Sequence, residues 1–380
     1  MNYFKILTFL EKGNKGLFEI SVEDQQLFLG KLGEPKDDID RGYKQYLCQN
    51  LYVPKWKIWL FDFFAAIFMP IVMAYFLIKR VFVRKEEKIE AMIERKGMEE
   101  IIPDVVNEQY HPESSKWREG TSMNFSDLRF ILKLIFRAPH HPYFVFKSSF
   151  NVATYSDMIC RHSPNLLIQF GEFSYKSSVL TAYCHSYNIK HINIMHGEKL
   201  FFIRDAYFHY DECYVWNDFY VDLFKSLKAE PTQFIVALPP SLNIKTELHH
   251  NPSLYSDFKY FLGENTEEEI RSIVESMKMI KINGKTVKFR AHPRYSDLSL
   301  LKKYIPEGEI EYPKEVSIIE SISNMEYAVG NYSTVLFQAW CSGKGVILDD
   351  VTYKDLYNKL EEFGYILAQK KCDKLSNYQK

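Results

Sequence analysis

The chain has almost no net charge: 48 lysines and arginines stand against 49 aspartates and glutamates, leaving −1. The two signs are interspersed rather than blocked, so the electrostatic footprint of a nucleic-acid binder is missing. Cysteine is sparse. Cys48, Cys160, Cys184, Cys213, Cys341 and Cys372 form no C-x-x-C pair and no zinc spacing, which fits reduced thiols in a cytosolic protein. The N-terminus has no basic stretch followed by an apolar core and a small-residue cleavage site, so no secretory leader is expected. There is no G-x-G-x-x-G fingerprint. Gly284-Lys285-Thr286 has the look of a P-loop tail, but Met279 stands where the first glycine belongs and the segment leads into a predicted strand. His196-Gly197-Glu198 carries the H-x-E of zinc deaminases without the P-C-x-x-C that should follow. Ser177-Ser178 lies inside a predicted helix and lacks a nucleophile elbow. ATPase, deaminase and serine-hydrolase chemistry are therefore disfavoured.

Apolar and aromatic residues are abundant, at 46% and 16% of 380 residues. That length exceeds one ordinary core and predicts two domains with material to spare. One apolar run stands out: residues 58–78 carry a single charge, Asp62, with Pro70 near the middle. As a helix it would be about 31 Å long, enough to span a bilayer. Lys55 and Lys57 flank it on one side and Lys79, Arg80, Arg84 and Lys85 on the other. Positive charge at both ends chooses no orientation and suits a segment whose ends face one leaflet. The proline, the aspartate and the paired flanks favour a re-entrant or interfacial anchor over a true span; a buried hairpin is the remaining reading. Asp38-Ile39-Asp40 is a D-x-D, but it sits in a polar turn far from any predicted strand, and no metal is assigned to it.

Periodicity predicts an α/β fold. Strands are expected at 165–170, 191–195 and 213–216, with helices at 175–187 and 218–227; after Pro239-Pro240 the rhythm restarts with strands at 258–261, 286–290, 309–312, 326–329 and 345–348. Helices at 266–279, 297–304, 316–324 and 333–341 alternate with them, the first opened by Thr266 as N-cap. The expected domains are an N-terminal helical region at 1–84, a Rossmann-like acceptor domain at 85–238 and a Rossmann-like donor domain at 239–380, the last two facing a cleft.

Strand ends carry the candidate chemistry. Arg290, His292 and Arg294 sit where one strand runs out, and Pro293 forces His292 into an extended conformation. Asn331, Ser333 and Thr334 open a helix, where amides and hydroxyls favour an anion. Together they read as a phosphate clamp, with Arg290, His292, Asn331, Ser333 and Thr334 on the phosphate and Arg294 and Glu315 on the nucleotide or sugar. In the first half, Gly171-Glu172-Phe173-Ser174 follows a strand, making Glu172 the candidate general base, with His196, Glu198 and Asp205 competing.

His196-Gly197, Arg290-x-His292-Pro293 and Asn331-Tyr332-Ser333-Thr334, over residues 165–350, resemble the pattern of bacterial GT-B surface-polysaccharide transferases. The sialyltransferases, with HP and S-S/T motifs, are the nearer likeness; the CDP-glycerol glycerophosphotransferases, with H-G, R-P-H-P and D-Y-S-S, are the more distant one. The first resemblance implies that His292, Ser333 and Thr334 contact the phosphate of a CMP-sugar. Glu172 matches the acidic motif only approximately, and Asn331 stands where the second group has aspartate. The expectation is an inverting, metal-independent GT-B glycosyltransferase of capsule, O-antigen or lipooligosaccharide synthesis. It would need no cofactor and would transfer sialic or another nonulosonic acid from a CMP-sugar to a glycan or lipid-linked acceptor at the cytoplasmic face of the inner membrane. A polyol-phosphate transferase and a non-catalytic scaffold are the alternatives.

Overall fold

Short apolar runs separated by helices organise both halves of the chain. In the computed structural model, which describes residues 14–94, 97–114, 120–172, 175–370 and 372–379, these runs form two six-stranded sheets. Every strand pairing within them is parallel. The chain divides accordingly into one unit of Met1–His196 with Phe201–Ala237 and a second of Gly197–Leu200 with Leu238–Lys380.

The first unit contains β1 (Ala91–Ile93), β2 (Glu113–Ser114), β3 (Leu166–Gln169), β4 (Lys190–Ile194), β5 (Glu212–Val215) and β6 (Phe234–Val236), in the order β2-β1-β3-β4-β5-β6. Its helices are α1 (Val22–Leu32), α2 (Asp38–Asn50), α3 (Lys55–Arg80), α4 (Asp104–Tyr110), α5 (Phe125–Arg137), α6 (Pro142–His162), α7 (Lys176–His185) and α8 (Asp218–Ser226). Alternate strand residues feed opposite layers, as the two-residue period of a strand requires. Met92 and Leu167 pack with Leu134, Val152 and Val179 on one face, and Ile93 and Ile168 with Ile102 and Val106 on the other. A sheet covered on both faces needs uninterrupted apolar strands, and all four residues of β3 are buried.

Residues 14–84 do not form the separate N-terminal region expected from the sequence. α2 packs on α7 and α3 on α6, and Phe76 joins the core of the first unit. Asp62 explains part of this. Its carboxylate accepts the Tyr143 N–H at 2.9 Å and meets His141 Nδ1 at 3.1 Å, so the one charge of the apolar run points into the domain. Among the described residues α3 is the one helix long and apolar enough to cross a membrane.

The second unit contains β7 (Ser256–Phe261), β8 (Val287–Arg290), β9 (Ile310–Glu311), β10 (Met325–Gly330), β11 (Gly345–Leu348) and β12 (Asp373–Lys374). Between them run α9 (Glu267–Ile282), α10 (Leu298–Tyr304), α11 (Ile318–Ser323), α12 (Thr334–Cys341), α13 (Lys354–Glu362) and α14 (Ile366–Gln369). The expected Thr266 cap is present as a full capping box with Glu269, and Ile270, Ile273, Met277 and Ile280 turn the buried face of α9 to the sheet. The order is β12-β11-β10-β7-β8-β9. The chain therefore runs from β7 outward to β9, then returns to build β10 to β12 on the other side. That is the 3-2-1-4-5-6 arrangement of a dinucleotide-binding sheet, whose ligand crevice opens beyond the carboxyl ends of the first and fourth strands, here β7 and β10.

Candidate functional site

All six strands of the second unit are parallel, so the segments after β7, β8 and β10 emerge on one edge. β7 lies between the other two. With strands about 4.8 Å apart, the ends of β8 and β10 are roughly 10 Å from each other. The segment after β8 carries His292 and the segment after β10 carries Ser333 and Thr334, so the topology brings both halves of the sequence-predicted clamp to the switch-point edge.

His292 is held in a defined state. Its backbone N–H donates to Ser296 Oγ at 2.8 Å, and Ser296 Oγ in turn donates to the Gly263 carbonyl at 3.0 Å, lacing the loop after β8 to the loop after β7. The ring stacks on Tyr295 with centroids 4.5 Å apart. Its Nδ1 accepts the N–H groups of Arg294 and Tyr295 at 3.1 and 3.2 Å. A nitrogen accepting two backbone donors cannot also carry a proton, so the proton sits on Nε2 and the neutral ring presents an Nε2–H donor. Burial and the Arg294 guanidinium both hold the imidazole pKa below its ordinary value, in keeping with that neutral form. Arg294 itself is exposed.

Across the edge, Ser333 caps α12 and its Oγ accepts the Val335 N–H at 3.3 Å. Asn331 Oδ1 accepts the Tyr332 N–H at 2.5 Å. Thr334, first in the helix, is exposed, and the amides of that first turn point off the sheet edge, where the helix dipole favours an anion. Glu315 is exposed in the segment between β9 and α11, on the same edge but two strands from β7.

Arg290 is a correction. The sequence places it on the phosphate, yet it is only 6% exposed. Its guanidinium donates to Glu311 Oε1 at 2.5 Å and to the Val316 carbonyl at 3.0 Å. The other oxygen of Glu311 takes Lys259 Nζ at 2.7 Å. Two cations thus share one buried carboxylate across β7, β8 and β9. Burial alone would raise the Glu311 carboxyl, and Lys259 and Arg290 outweigh it to leave the pKa low. Successive side chains of a strand alternate between faces, and at position 290 the guanidinium turns across the sheet to Glu311 on β9 instead of off the strand end.

Glu172 is a second correction. It follows β3 as expected, but it is fully buried, with Asn193 Nδ2 donating to its Oε1 at 3.0 Å. The same Asn193 accepts the Gly171 N–H through Oδ1 at 2.8 Å, and Gln45 from α2 donates to the Glu172 carbonyl. A carboxylate enclosed this way braces the ends of β3 and β4. Phe173 and Ser174, the rest of that motif, lie outside the described residues.

His196 lies just beyond β4 and is partly exposed; Asp205, in a short 3-10 turn, is buried. Glu198 is more informative. Both carboxylate oxygens are shielded from solvent, and burial pushes the group up to about 8, with the Tyr365 hydroxyl pulling the other way. Tyr365 also meets the Tyr332 ring edge-on at 5.2 Å, which connects Glu198 to the start of α12. A carboxylate whose basicity lies near neutral pH has the strength that proton abstraction needs. Sequence reading singled out Glu198 but not its environment, which depends on Tyr365, 167 positions along the chain.

No family model and no curated protein matches this chain. Among solved structures it is similar to the wall teichoic acid polymerase TagF, at 12% identity over 55% of this chain and 59% of that one with a TM-score of 0.36. The chain thus spans less than two thirds of that polymerase's length. It is also similar to a calicheamicin glycosyltransferase (9% identity, 73% and 83% coverage, TM-score 0.41). A third similar structure is the UDP-GlcNAc 2-epimerase from Methanocaldococcus jannaschii (13% identity, 70% and 83% coverage, TM-score 0.42). With TM-scores below 0.5 these likenesses carry no functional argument, and the case rests on the residues.

Proposed function

We propose that the chain is an inverting glycosyltransferase of the GT-B kind that takes its sugar from a nucleotide-activated donor bound at the carboxyl edge of the second sheet. The observation that carries this reading is His292 pinned as an Nε2–H donor on the edge that also carries the Ser333-capped start of α12. A leaving nucleotide gains negative charge on its phosphate, and a fixed donor, helix-start amides and the nearby Arg294 would stabilise that charge without reorganising. Glu198 is the preferred base for the acceptor hydroxyl, with His196 as the competitor. The donor is read as a CMP-linked nonulosonic acid and the acceptor as a membrane-held glycan.

One observation favours a second reading. The enclosed Glu172 removes the approximate match to the sialyltransferase acidic motif, which leaves the H-G, R-x-H-P and N-Y-S-T order, and with it a CDP-glycerol-type polyol-phosphate transfer, standing beside the first.

The test is a thermal-shift panel of the full chain with CMP, CDP, UDP and GDP, repeated on His292→Ala. A ligand that binds only the folded state raises the melting temperature by mass action. Stabilisation by CMP that disappears in the variant supports the nonulosonate donor, and a preference for CDP supports polyol-phosphate transfer. A shift only with UDP or GDP discards both donors, and no shift with any nucleotide overturns the transferase reading in favour of a scaffold.

A further inference from the structure

The first unit contains a cavity of about 470 Å³ that the functional reading does not use. Three cations line it, Lys15, Lys147 and Arg204, and its lining includes no aspartate or glutamate. The nearest acids in sequence are Asp205, beside Arg204, and Asp62, beside Phe61; Asp205 is buried and acts on Tyr52 of the cavity wall, while Asp62 is taken up by the Tyr143 N–H and His141 and acts on Tyr46. Lys147 lies over the rings of Tyr143 and Tyr175 at 5.9 and 5.6 Å, and the Arg204 guanidinium lies over Phe202 at 5.2 Å. Aromatic faces attract these cations without cancelling their charge. Lys147 is accessible to solvent yet surrounded by protein, and that burial, with Arg204 and Lys176 nearby, lowers its pKa. Like charges held together in a polar hollow are stabilised by an anion that enters it.

The wall of this cavity includes Ile58 and Phe61, from the first turns of α3. That helix is two-faced. Asp62, Ala65, Met69, Val72 and Phe76 turn to the domain, while Trp59 (70% exposed), Phe63, Ile67, Ile71, Tyr75 and Ile78 recur at three- and four-residue spacing on the outside, and Phe82 (77% exposed) follows just past the helix end. Exposed Lys55 precedes this outer row and exposed Arg84 and Lys85 follow it. An apolar stripe with aromatic residues and basic ends fits an anionic leaflet, and a helix already packed along one side lies in its plane rather than across it.

We infer that the cavity binds the phosphate of a membrane-lipid headgroup, presented by the leaflet in which α3 lies. This deepens the proposed function, because a lipid-linked acceptor would be the natural occupant; the binding itself does not depend on that reading.

The experiment is vesicle flotation of the full chain. Vesicles of phosphatidylcholine alone are compared with vesicles carrying phosphatidic acid or phosphatidylglycerol at matched surface charge. The wild type is expected to prefer phosphatidic acid, whose terminal phosphate can enter the cavity. Lys147→Ala combined with Arg204→Ala should remove that preference and, at about 1 kcal/mol per basic residue near the surface, weaken binding roughly thirtyfold. Trp59→Glu with Ile71→Glu should abolish flotation with every vesicle. Melting temperature reports whether each variant is folded, and single Lys147→Gln and Arg204→Gln variants replace any that is not. Equal binding to the two anionic lipids, or a preference that survives the loss of both cations, overturns the inference. Inorganic phosphate that binds the cavity, read by titration calorimetry and lost in the Lys147→Ala/Arg204→Ala variant, while the wild type shows no preference for phosphatidic acid vesicles, also overturns it, making this a site for free phosphate. Because the assay needs no turnover, a failed nucleotide panel leaves its outcome readable.

Discussion

At the carboxyl edge of the second sheet, Arg294 and Thr334 are exposed and His292 is partly so, each on a loop or helix start held by backbone bonds. At the same edge of the first sheet, Glu172 is enclosed and bonded to Asn193. The first group stays accessible with only its orientation fixed; Glu172, like Arg290 at the end of β8, joins strand ends. The difference shows why a strand-end position is not enough to assign chemistry.

Substitutions can break this contrast. The largest effect is expected below the second edge: Glu311→Gln leaves Lys259 and Arg290 buried without a counter-charge and should destabilise the protein by about 3–5 kcal/mol, read from urea unfolding. Arg290→Ala should likewise act on stability rather than selectively on nucleotide affinity.

Glu198→Gln should change the pH dependence of stability. The folded carboxyl holds its proton to about pH 8, whereas an unperturbed one releases it near 4.5. The stabilising contribution is therefore complete below about 4.5 and is lost as pH rises through about 8. The neutral variant should show a flatter decline in melting temperature across that window, measured by differential scanning calorimetry.

His292→Ala removes one donor to an anionic phosphate. It should weaken nucleotide binding by about 1.5–3 kcal/mol, roughly ten- to a hundredfold, with little loss of stability, as titration calorimetry would show. Glu172→Ala should do the reverse, costing about 1–3 kcal/mol of stability by depriving Asn193 of a partner while leaving nucleotide affinity unchanged.

The strands that form the middle of each sheet were legible because they are short, mostly apolar and aromatic runs, as at 166–169 and 258–261, each carrying one polar residue, Gln169 and Lys259, and the helix at 267–282 announced itself through Thr266 and its acidic first turn. β2 and β12, two residues each, are too short to show a period. Phe234–Val236 has a largely exposed sheet edge and gave no buried pattern either. The helical packing of residues 14–84 depends on Asp62 meeting His141 and Tyr143, about eighty positions away, and no local signal encodes it. The same limit applies to the site. Pro293 restricts the backbone of the residue before it, but the direction of Arg290 is set by Glu311 and Val316, and the enclosure of Glu172 by Asn193 and Gln45. A sequence places a residue at a strand end; its partners decide which way it points.

For His292 as a fixed Nε2–H donor to a nucleotide phosphate, nitrogen-15 NMR of the imidazole is the direct readout. The prediction is a neutral ring near pH 7 with Nδ1 unprotonated, and an Nε2–H resonance that moves when the nucleotide found in the stability panel is added. A ring protonated on Nδ1, or an Nε2–H signal that no nucleotide perturbs, would contradict it.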